Sequence, residues 1–374
     1  MNFSLNEGQK FLQKLAKDFT INTIDPIAPK MESDARLPDD LIGKFAHVGL
    51  LGMTVPGNKN SGASTLDCSL VIEQIAYSGT GAWWLVAFNN SIPEIIHQFG
   101  SEGIKQKYLA PLCNGTSYGS VQFTEEETGS DPEALTTKGM PEGEYYVING
   151  MKRFSTFGDR NGCAIVYVKD ENGACTAFII EKKQKGYSTE KSWELMGAGG
   201  IEAVDVYFQD MHVPKENIVG IKGKGFDILL HWIAIEKIMQ SAANIGMAQA
   251  ALDEAIRYVK ARKSRGKLVS GMQGIRWILA EMKCKLEAAR YLTYRAASLY
   301  DVKDMNWKAE AASTKLFVIP ATLEIIDKAR QLHGCYGYVK DFKIERLYRG
   351  AAGASSIATS LEINRSIVGG WLIE

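Results

Sequence analysis

The sequence predicts an α+β protein in three parts: an N-terminal helical domain (residues 1–115), a middle β-sheet domain (116–220) and a C-terminal four-helix bundle (221–374). Three observations predict it. Apolar and charged residues alternate at helical period through the first third, as in "DDLIGKFAHVGLLG" and "SLVIEQIAYSGTGAWWLVAF". From about 116 to 220 the texture changes to short β-branched and aromatic runs separated by turn residues. After "GIKGKGF" long helical stretches return at about 226–262, 271–300, 306–332 and 343–370, broken at Gly266, Gly271 and "HGCYGY".

In chain order, "MNFSLNEGQKFLQKLAKDF" sets Phe3, Phe11, Leu15 and Phe19 on a helical stripe among charges, unlike the unbroken apolar block of a signal peptide. No later run approaches a membrane-spanning length, so a cytoplasmic protein without a membrane partner is expected. "SYGSVQFTE", "EYYVINGMKRFST", "CAIVYVKD", "CTAFIIEKK" and "AVDVYFQDMHVP" read as the strands of a small antiparallel sheet, with Asn149-Gly150 as a hairpin turn. The last four stretches, joined by short connections, read as an antiparallel bundle.

The chain has 374 residues, 45% of them hydrophobic, which exceeds the content of one compact domain. Its 43 basic and 43 acidic residues cancel, so no global field draws nucleic acid or an anionic surface. Six cysteines stand without a CxxC pair or a nearby His spacing, so neither a metal site nor a disulfide framework is expected.

Three stretches carry candidate chemistry. "QFTEEETGSDPEALTT" (122–137) exposes backbone N–H groups and the hydroxyls of Thr124 and Ser130 at a turn. "NGMKRFSTFG" (149–158) puts Phe154, Ser155 and Thr156 on a strand, where a ring and hydroxyls suit a flat ring system. "RKSRGK" (262–267) offers Arg262 and the Ser264 hydroxyl to a pyrophosphate, since guanidinium pairs with phosphate bidentately. Alone, each has an ordinary structural reading: a capped turn, a strand aromatic in the core, a solvated basic loop.

Together, in order and spacing, they resemble the acyl-CoA dehydrogenase family over nearly the whole chain. The matching pieces are T-E-x-x-x-G-S-D at Thr124, Glu125, Gly129, Ser130 and Asp131; N-G-x-K-x-[WF]-x-T at Asn149, Gly150, Lys152, Phe154 and Thr156; and V-P-x-x-N-x-x-G at Val213, Pro214, Asn217 and Gly220. In the bundle, Arg262, Lys263, Gly266, Lys267 and Gln273 match a fourth motif, and Gln331, Gly334, Gly337 and Tyr338 a fifth. The resemblance implies FAD as cofactor. It places Phe123 and Thr124 at the isoalloxazine edge, Phe154 against the ring and the Thr156 hydroxyl at N5. It gives the pyrophosphate and adenine to Arg262, Ser264 and Gln273 of a neighbouring subunit, with Gln331 and Ser360 completing the site, and so implies a homodimer or homotetramer.

The family's usual catalytic Glu, in Y-E-G-T, is replaced here by Ala358 in "SSIATSLEINR"; Glu362 falls where the family has a polar FAD contact. A second carboxylate stands in "HWIAIEKIMQSA" (231–242): Glu236, whose neighbours one turn away are Trp232, Ile233, Met239 and Gln240. An apolar pocket raises a carboxylate's proton affinity, which suits a general base. Within the family, isovaleryl-CoA dehydrogenase and some dehydrogenases of carrier-protein thioesters carry their Glu on this helix in an E-[RK]-x8-G pattern, which Glu236, Lys237 and Gly246 resemble here. The resemblance therefore implies dehydrogenation of an acyl thioester, with α-proton removal by Glu236 and hydride transfer to flavin N5. The Ala358 backbone N–H and an FAD ribose hydroxyl would bind the thioester carbonyl, and an electron-transferring flavoprotein or oxygen would accept the electrons. The drift at Phe157, Arg265, Cys335 and Ala358 favours a substrate on an acyl carrier protein in polyketide or nonribosomal peptide biosynthesis over a coenzyme A ester of short or branched-chain catabolism. A two-component flavin monooxygenase and a non-catalytic flavoprotein are the alternatives from other classes.

Overall fold

Asn6 opens the first helix with a reciprocal cap: its side chain accepts from the Gln9 N–H while the Gln9 side chain accepts from the Asn6 N–H. The structure, a computed structural model, describes residues 4–57 and 62–373, so Phe3 of the predicted stripe lies outside the described residues. Helix α1 (Glu7–Phe19) buries Phe19 against Phe45, with ring centroids 4.7 Å apart, and leaves Phe11 in solvent. Helices α2 (Ala28–Asp34), α3 (Leu41–His47), α4 (Thr65–Ala76), α5 (Ala82–Phe99) and α6 (Glu102–Cys113) complete the first part. Every residue of α5 from Ala82 to Ile96 is buried, which its all-round apolar composition requires.

The middle part is one seven-stranded sheet of β1 (Tyr118–Gln122), β2 (Lys138–Glu142), β3 (Tyr145–Thr156), β4 (Gly162–Lys169), β5 (Cys175–Glu181), β6 (Tyr187–Ser192) and β7 (Ala203–Pro214). The strand order is β1-β4-β2-β3-β7-β6, with β5 beside β4. The expected antiparallel sheet is in fact mixed. The β2–β3 hairpin intervenes before the chain returns to β4, so β4 runs parallel to both β1 and β2. A second expectation is also corrected: the hairpin turn lies at Gly143 (φ 55°), not at Asn149-Gly150. Gly150 sits inside β3 at φ 144°, where pairing with β7 slips register and a Cβ would lie 2.6 Å from Thr137 Oγ1.

The third part holds α7 (Gly225–Ala261), a hairpin of β8 (Lys263–Ser264) and β9 (Lys267–Leu268), α8 (Gln273–Asp301), α9 (Trp307–Leu332), α10 (Lys343–Ala352) and α11 (Leu361–Ile373). The fourth helix, expected to run unbroken over 343–370, is therefore two helices. Between them Ala358 (φ 61°) and Thr359 (φ 135°) hold backbone conformations that no helix allows. Helix α7 is the axis of the molecule, buried at every position from Trp232 to Ala248. Gly246 permits this, since a Cβ there would lie 2.0 Å from the Glu73 carbonyl of α4.

Candidate active site

Glu236 is wholly buried in the first third of α7. Its Oε1 accepts from Ser91 Oγ of α5 (3.1 Å), and Ser91 Oγ in turn accepts from Trp232 Nε1 (3.1 Å). Its Oε2 has no partner. Burial pushes the carboxyl up to about 7, against smaller opposing pulls from the Ser91 hydroxyl and the Lys315 ammonium. The cation that the sequence did not place beside Glu236 thus comes from α9. Lys315, itself buried, donates to the carbonyls of Ile357 and Thr359 (2.8 Å to the latter), one on each side of Ala358. Burial lowers its ammonium to about 7. Ala358, which carries no acceptor side chain, is thereby held in a turn with its backbone fixed from α9 by the same lysine whose charge acts on Glu236.

The sheet supplies a second group. Phe123 leaves β1 with its ring edge-on to Trp232 (6.4 Å), the residue that also binds Ser91. Thr156 ends β3, and its carbonyl accepts from Ser120 Oγ of β1 (2.7 Å); the Thr124 carbonyl accepts from the Arg153 N–H (2.7 Å). Phe154 adopts φ 55° at a register slip, stays half exposed, and rests on Trp193 at 4.9 Å. Strand adjacency therefore brings Phe123, Thr124, Phe154 and Thr156 together. Ser130 is exposed in the turn that follows, where Asp131 accepts from the Glu133 N–H.

Two motif residues given no role by the sequence explain why this group is rigid. Lys152 Nζ donates to Glu125 Oε1 (2.7 Å) and to the Tyr167 carbonyl (2.6 Å), while Glu125 also accepts from the N–H groups of Thr136 (2.6 Å) and Thr137 (3.1 Å). Burial alone would raise the Glu125 carboxyl, but Lys152 and these donors bring it down to about 2. Burial lowers the Lys152 ammonium to about 8. The pair ties the Phe123–Thr124 segment to β3.

A third group lies at the far end of α7. Arg262, Ser264 and Gln273 are exposed on or beside the β8–β9 hairpin, whose turn is Arg265-Gly266 with φ 49° and 77°. Gln331 joins them from the end of α9, two residues before His333, whose ring packs on Tyr258 (4.5 Å) of α7. At 1.5 Å per residue, Glu236 and Arg262 stand about 39 Å apart along the helix. Ser360 does not join this third group: it caps α11 through the Ile363 N–H (3.3 Å), beside Ala358. Glu362 is exposed and paired with Arg365 (2.8 Å).

These residues fit FAD: a half-exposed aromatic surface and flanking hydroxyls suit a ring system, and an exposed cationic hairpin suits a pyrophosphate. Among the described residues there is no cluster of His, Cys, Asp or Glu that could hold a metal ion, and no helix is long and apolar enough to cross a membrane.

The architecture and site define a flavin-dependent oxidoreductase acting on a CH–CH bond. Three family models match the chain: acyl-CoA dehydrogenase N-terminal domain over residues 6–116, middle domain over 120–211 and C-terminal domain over 223–373. The chain belongs to the acyl-CoA dehydrogenase family, and its cofactor is FAD. It is 32% identical to "Acyl-CoA dehydrogenase, short-chain specific" of Clostridium acetobutylicum, covering 99% of each chain. It is 33% identical to "Caffeyl-CoA reductase-Etf complex subunit CarC" of Acetobacterium woodii, again over 99% of each. Among solved structures, butyryl-CoA dehydrogenase from Megasphaera elsdenii superposes with a TM-score of 0.96 at 30% identity, over all of both chains.

These relatives are named for coenzyme A esters, which corrects the expected preference for a carrier-bound substrate and for secondary-metabolite biosynthesis. The drift that prompted that preference is local. Phe157 is a core residue edge-on to Phe88 (6.1 Å), and Arg265 is a turn residue.

Proposed function

We propose that this protein interconverts a short-chain acyl-CoA and its α,β-unsaturated ester, with Glu236 as the base that removes the α proton. The observation that carries the proposal is the free Oε2 of a fully buried carboxylate raised to about 7. Such an oxygen has the proton affinity to take a weakly acidic proton and no competing donor. Ser91 fixes the other oxygen and so orients the carboxylate. The Ala358 N–H is the donor for the thioester carbonyl, where negative charge develops as the proton leaves. Lys315 keeps that N–H in place by holding both flanking carbonyls. FAD, when bound, accepts the β hydride.

Phe123, Thr124, Phe154 and Thr156 receive the flavin ring, with Ser130 and Ser360 beside them. Arg262, Ser264, Gln273 and Gln331, about 39 Å along α7, hold the pyrophosphate and adenine of a cofactor seated mainly in a second copy of the chain. Exposed Leu268, Met272, Trp277 and Tyr336 around this end supply apolar surface for a homodimer or homotetramer. The electron partner is an electron-transferring flavoprotein, as the name of the Acetobacterium woodii relative supports. The test is anaerobic bleaching of the FAD-loaded protein by butyryl-CoA and by the same acyl group on a carrier protein. Bleaching by the coenzyme A ester supports the proposal; bleaching only by the carrier-bound ester, or by neither, refutes it.

A further inference from the structure

Glu236, Gln240 and Asn244 stand at i, i+4 and i+8 on α7 and so share one helix face. Beyond Glu236 that face meets a part-open pocket of about 110 Å³ walled by Trp83, Trp84, Met247 and Ile357, with Gln240 and Asn244 among its lining. Both amides are buried to 1% exposure, and Gln240 Oε1 and Asn244 Oδ1 have no hydrogen-bond partner. The orientation of Asn244 is fixed by its other atom: Nδ2 donates to the Gln240 backbone carbonyl (3.1 Å), a group that only accepts, so the free atom is the oxygen. A fixed buried acceptor, Asn244 Oδ1, and the buried amide of Gln240, which no hydrogen bond among the described residues holds in one orientation, therefore lie beside a mainly apolar pocket, Gln240 one helical turn from the proposed base. Orphaned acceptors are costly unless a ligand or a water supplies donors, and a ligand that does so displaces the water.

We infer that the substrate's short acyl chain carries a hydroxyl beyond its β carbon, whose O–H donates to Asn244 Oδ1 while its oxygen accepts from the Gln240 amide NH2. This rests on the proposed acyl-CoA reaction and names its substrate class. Ile357 adjoins Ala358, and Gln240 lies one turn from Glu236, so a thioester with its carbonyl at Ala358 and α carbon at Glu236 directs its tail into this cavity. At about 110 Å³ the pocket admits only a few carbons, and two stacked indoles (4.2 Å between centroids) form part of its wall. A hydroxyl fits where an ammonium does not. Neutral amide oxygens leave a buried charge uncompensated, and the charged side chain on the lining, Arg349, is a cation already paired with Glu345 (2.7 Å) and Glu32 (2.9 Å).

The test compares 4-hydroxybutyryl-CoA with pentanoyl-CoA, and 5-hydroxypentanoyl-CoA with hexanoyl-CoA, each pair differing by a hydroxyl in place of a methyl. The readouts are kcat/KM and the rate of anaerobic flavin reduction of the FAD-loaded protein. A hydroxyl preference of about tenfold or more is expected in at least one pair, because a site built around unpaired polar groups rejects the analogue that leaves them unpaired. Asn244→Leu and Gln240→Leu should each shrink that preference toward parity while retaining full FAD content. Equal or faster reaction of the alkyl esters in the wild-type protein overturns the inference while leaving the acyl-CoA reaction standing. Loss of FAD in both variants also overturns it, since it reassigns the amides to the cofactor. If no coenzyme A ester reduces the flavin, the dehydrogenase reading falls and this one with it.

Discussion

Glu236→Gln preserves the size and hydrogen-bonding reach of the side chain and removes its proton affinity. Flavin reduction by substrate should slow by about two to four orders of magnitude, the usual worth of a positioned general base. In the wild-type protein the reduction rate should rise with pH through about 7 as Glu236 ionises, and the variant should lose that rise. The same substitution has a consequence for stability that does not depend on turnover. Burial raises the carboxyl from 4.5 to about 7, so between these values the folded chain binds a proton that the unfolded chain releases. The stability tied to that proton is complete below the unfolded value and is lost as pH rises through about 7. At about 1.4 kcal/mol per pH unit, the ionised form costs the fold about 3 kcal/mol at pH 8. Glu236→Gln should remove that cost and raise the melting temperature by a few degrees at pH 8, with no gain at pH 4. Stopped-flow reduction under anaerobic conditions and thermal melts at the two pH values measure both effects. Wild-type reduction rates in the variant would take Glu236 out of the mechanism. Equal melting temperatures at pH 8 would show that its free oxygen is not an uncompensated buried charge.

Arg262→Ala should weaken FAD binding by about tenfold to a hundredfold, the worth of a charge-assisted hydrogen bond, and loosen the assembly with it; flavin absorbance across a gel-filtration profile reads both. Thr156→Ala should retain FAD but shift its two-electron potential by roughly 20 mV, the equivalent of about 1 kcal/mol of differential hydrogen bonding, which a dye-coupled redox titration resolves. Glu125→Gln leaves Lys152 as a buried cation without its carboxylate, and denaturant melts should show a loss of about 3–5 kcal/mol. A loss below 1 kcal/mol would mean that the pair does not tie Phe123 and Thr124 to β3.

Features set by local periodicity were legible in the sequence. The long buried stretch of α7 shows in its composition, and five of the seven strands show in their β-branched runs. Strands β2 ("KGMPE") and β6 ("YSTEKS") escaped because their residues carry no apolar alternation; register with β3 and β7 makes them strands. Asn149-Gly150 misled for a related reason. A glycine with positive φ marks a turn or a close approach, and only the neighbouring Thr137 decides which. Glu236 stood out as a lone carboxylate in an apolar run, yet its partner Ser91 comes from 145 positions earlier, a pairing that no local pattern encodes. Gln240 and Asn244 gave no signal at all, because an amide one helical turn on is unremarkable until indoles from α5 wall a pocket beside it.

The break between α10 and α11 shows most clearly where local preference and fold part company. Neither Ala358 nor Thr359 is a helix breaker of the Gly or Pro kind, and a β-branched Thr at φ 135° is in backbone space that glycine normally occupies. Each such residue costs about 1–3 kcal/mol, and persists only where its surroundings over-determine it. Here the surroundings are Lys315, whose two hydrogen bonds to Ile357 and Thr359 span the strained pair from another helix. The strain is compensated by a buried cation whose charge also acts on Glu236, and the backbone N–H so fixed is the one proposed above to bind the thioester carbonyl. A local conflict of this kind, resolved by a long-range contact, belongs to function more often than to folding. The segment that defeats sequence reading is, for that reason, the segment where the thioester carbonyl should bind.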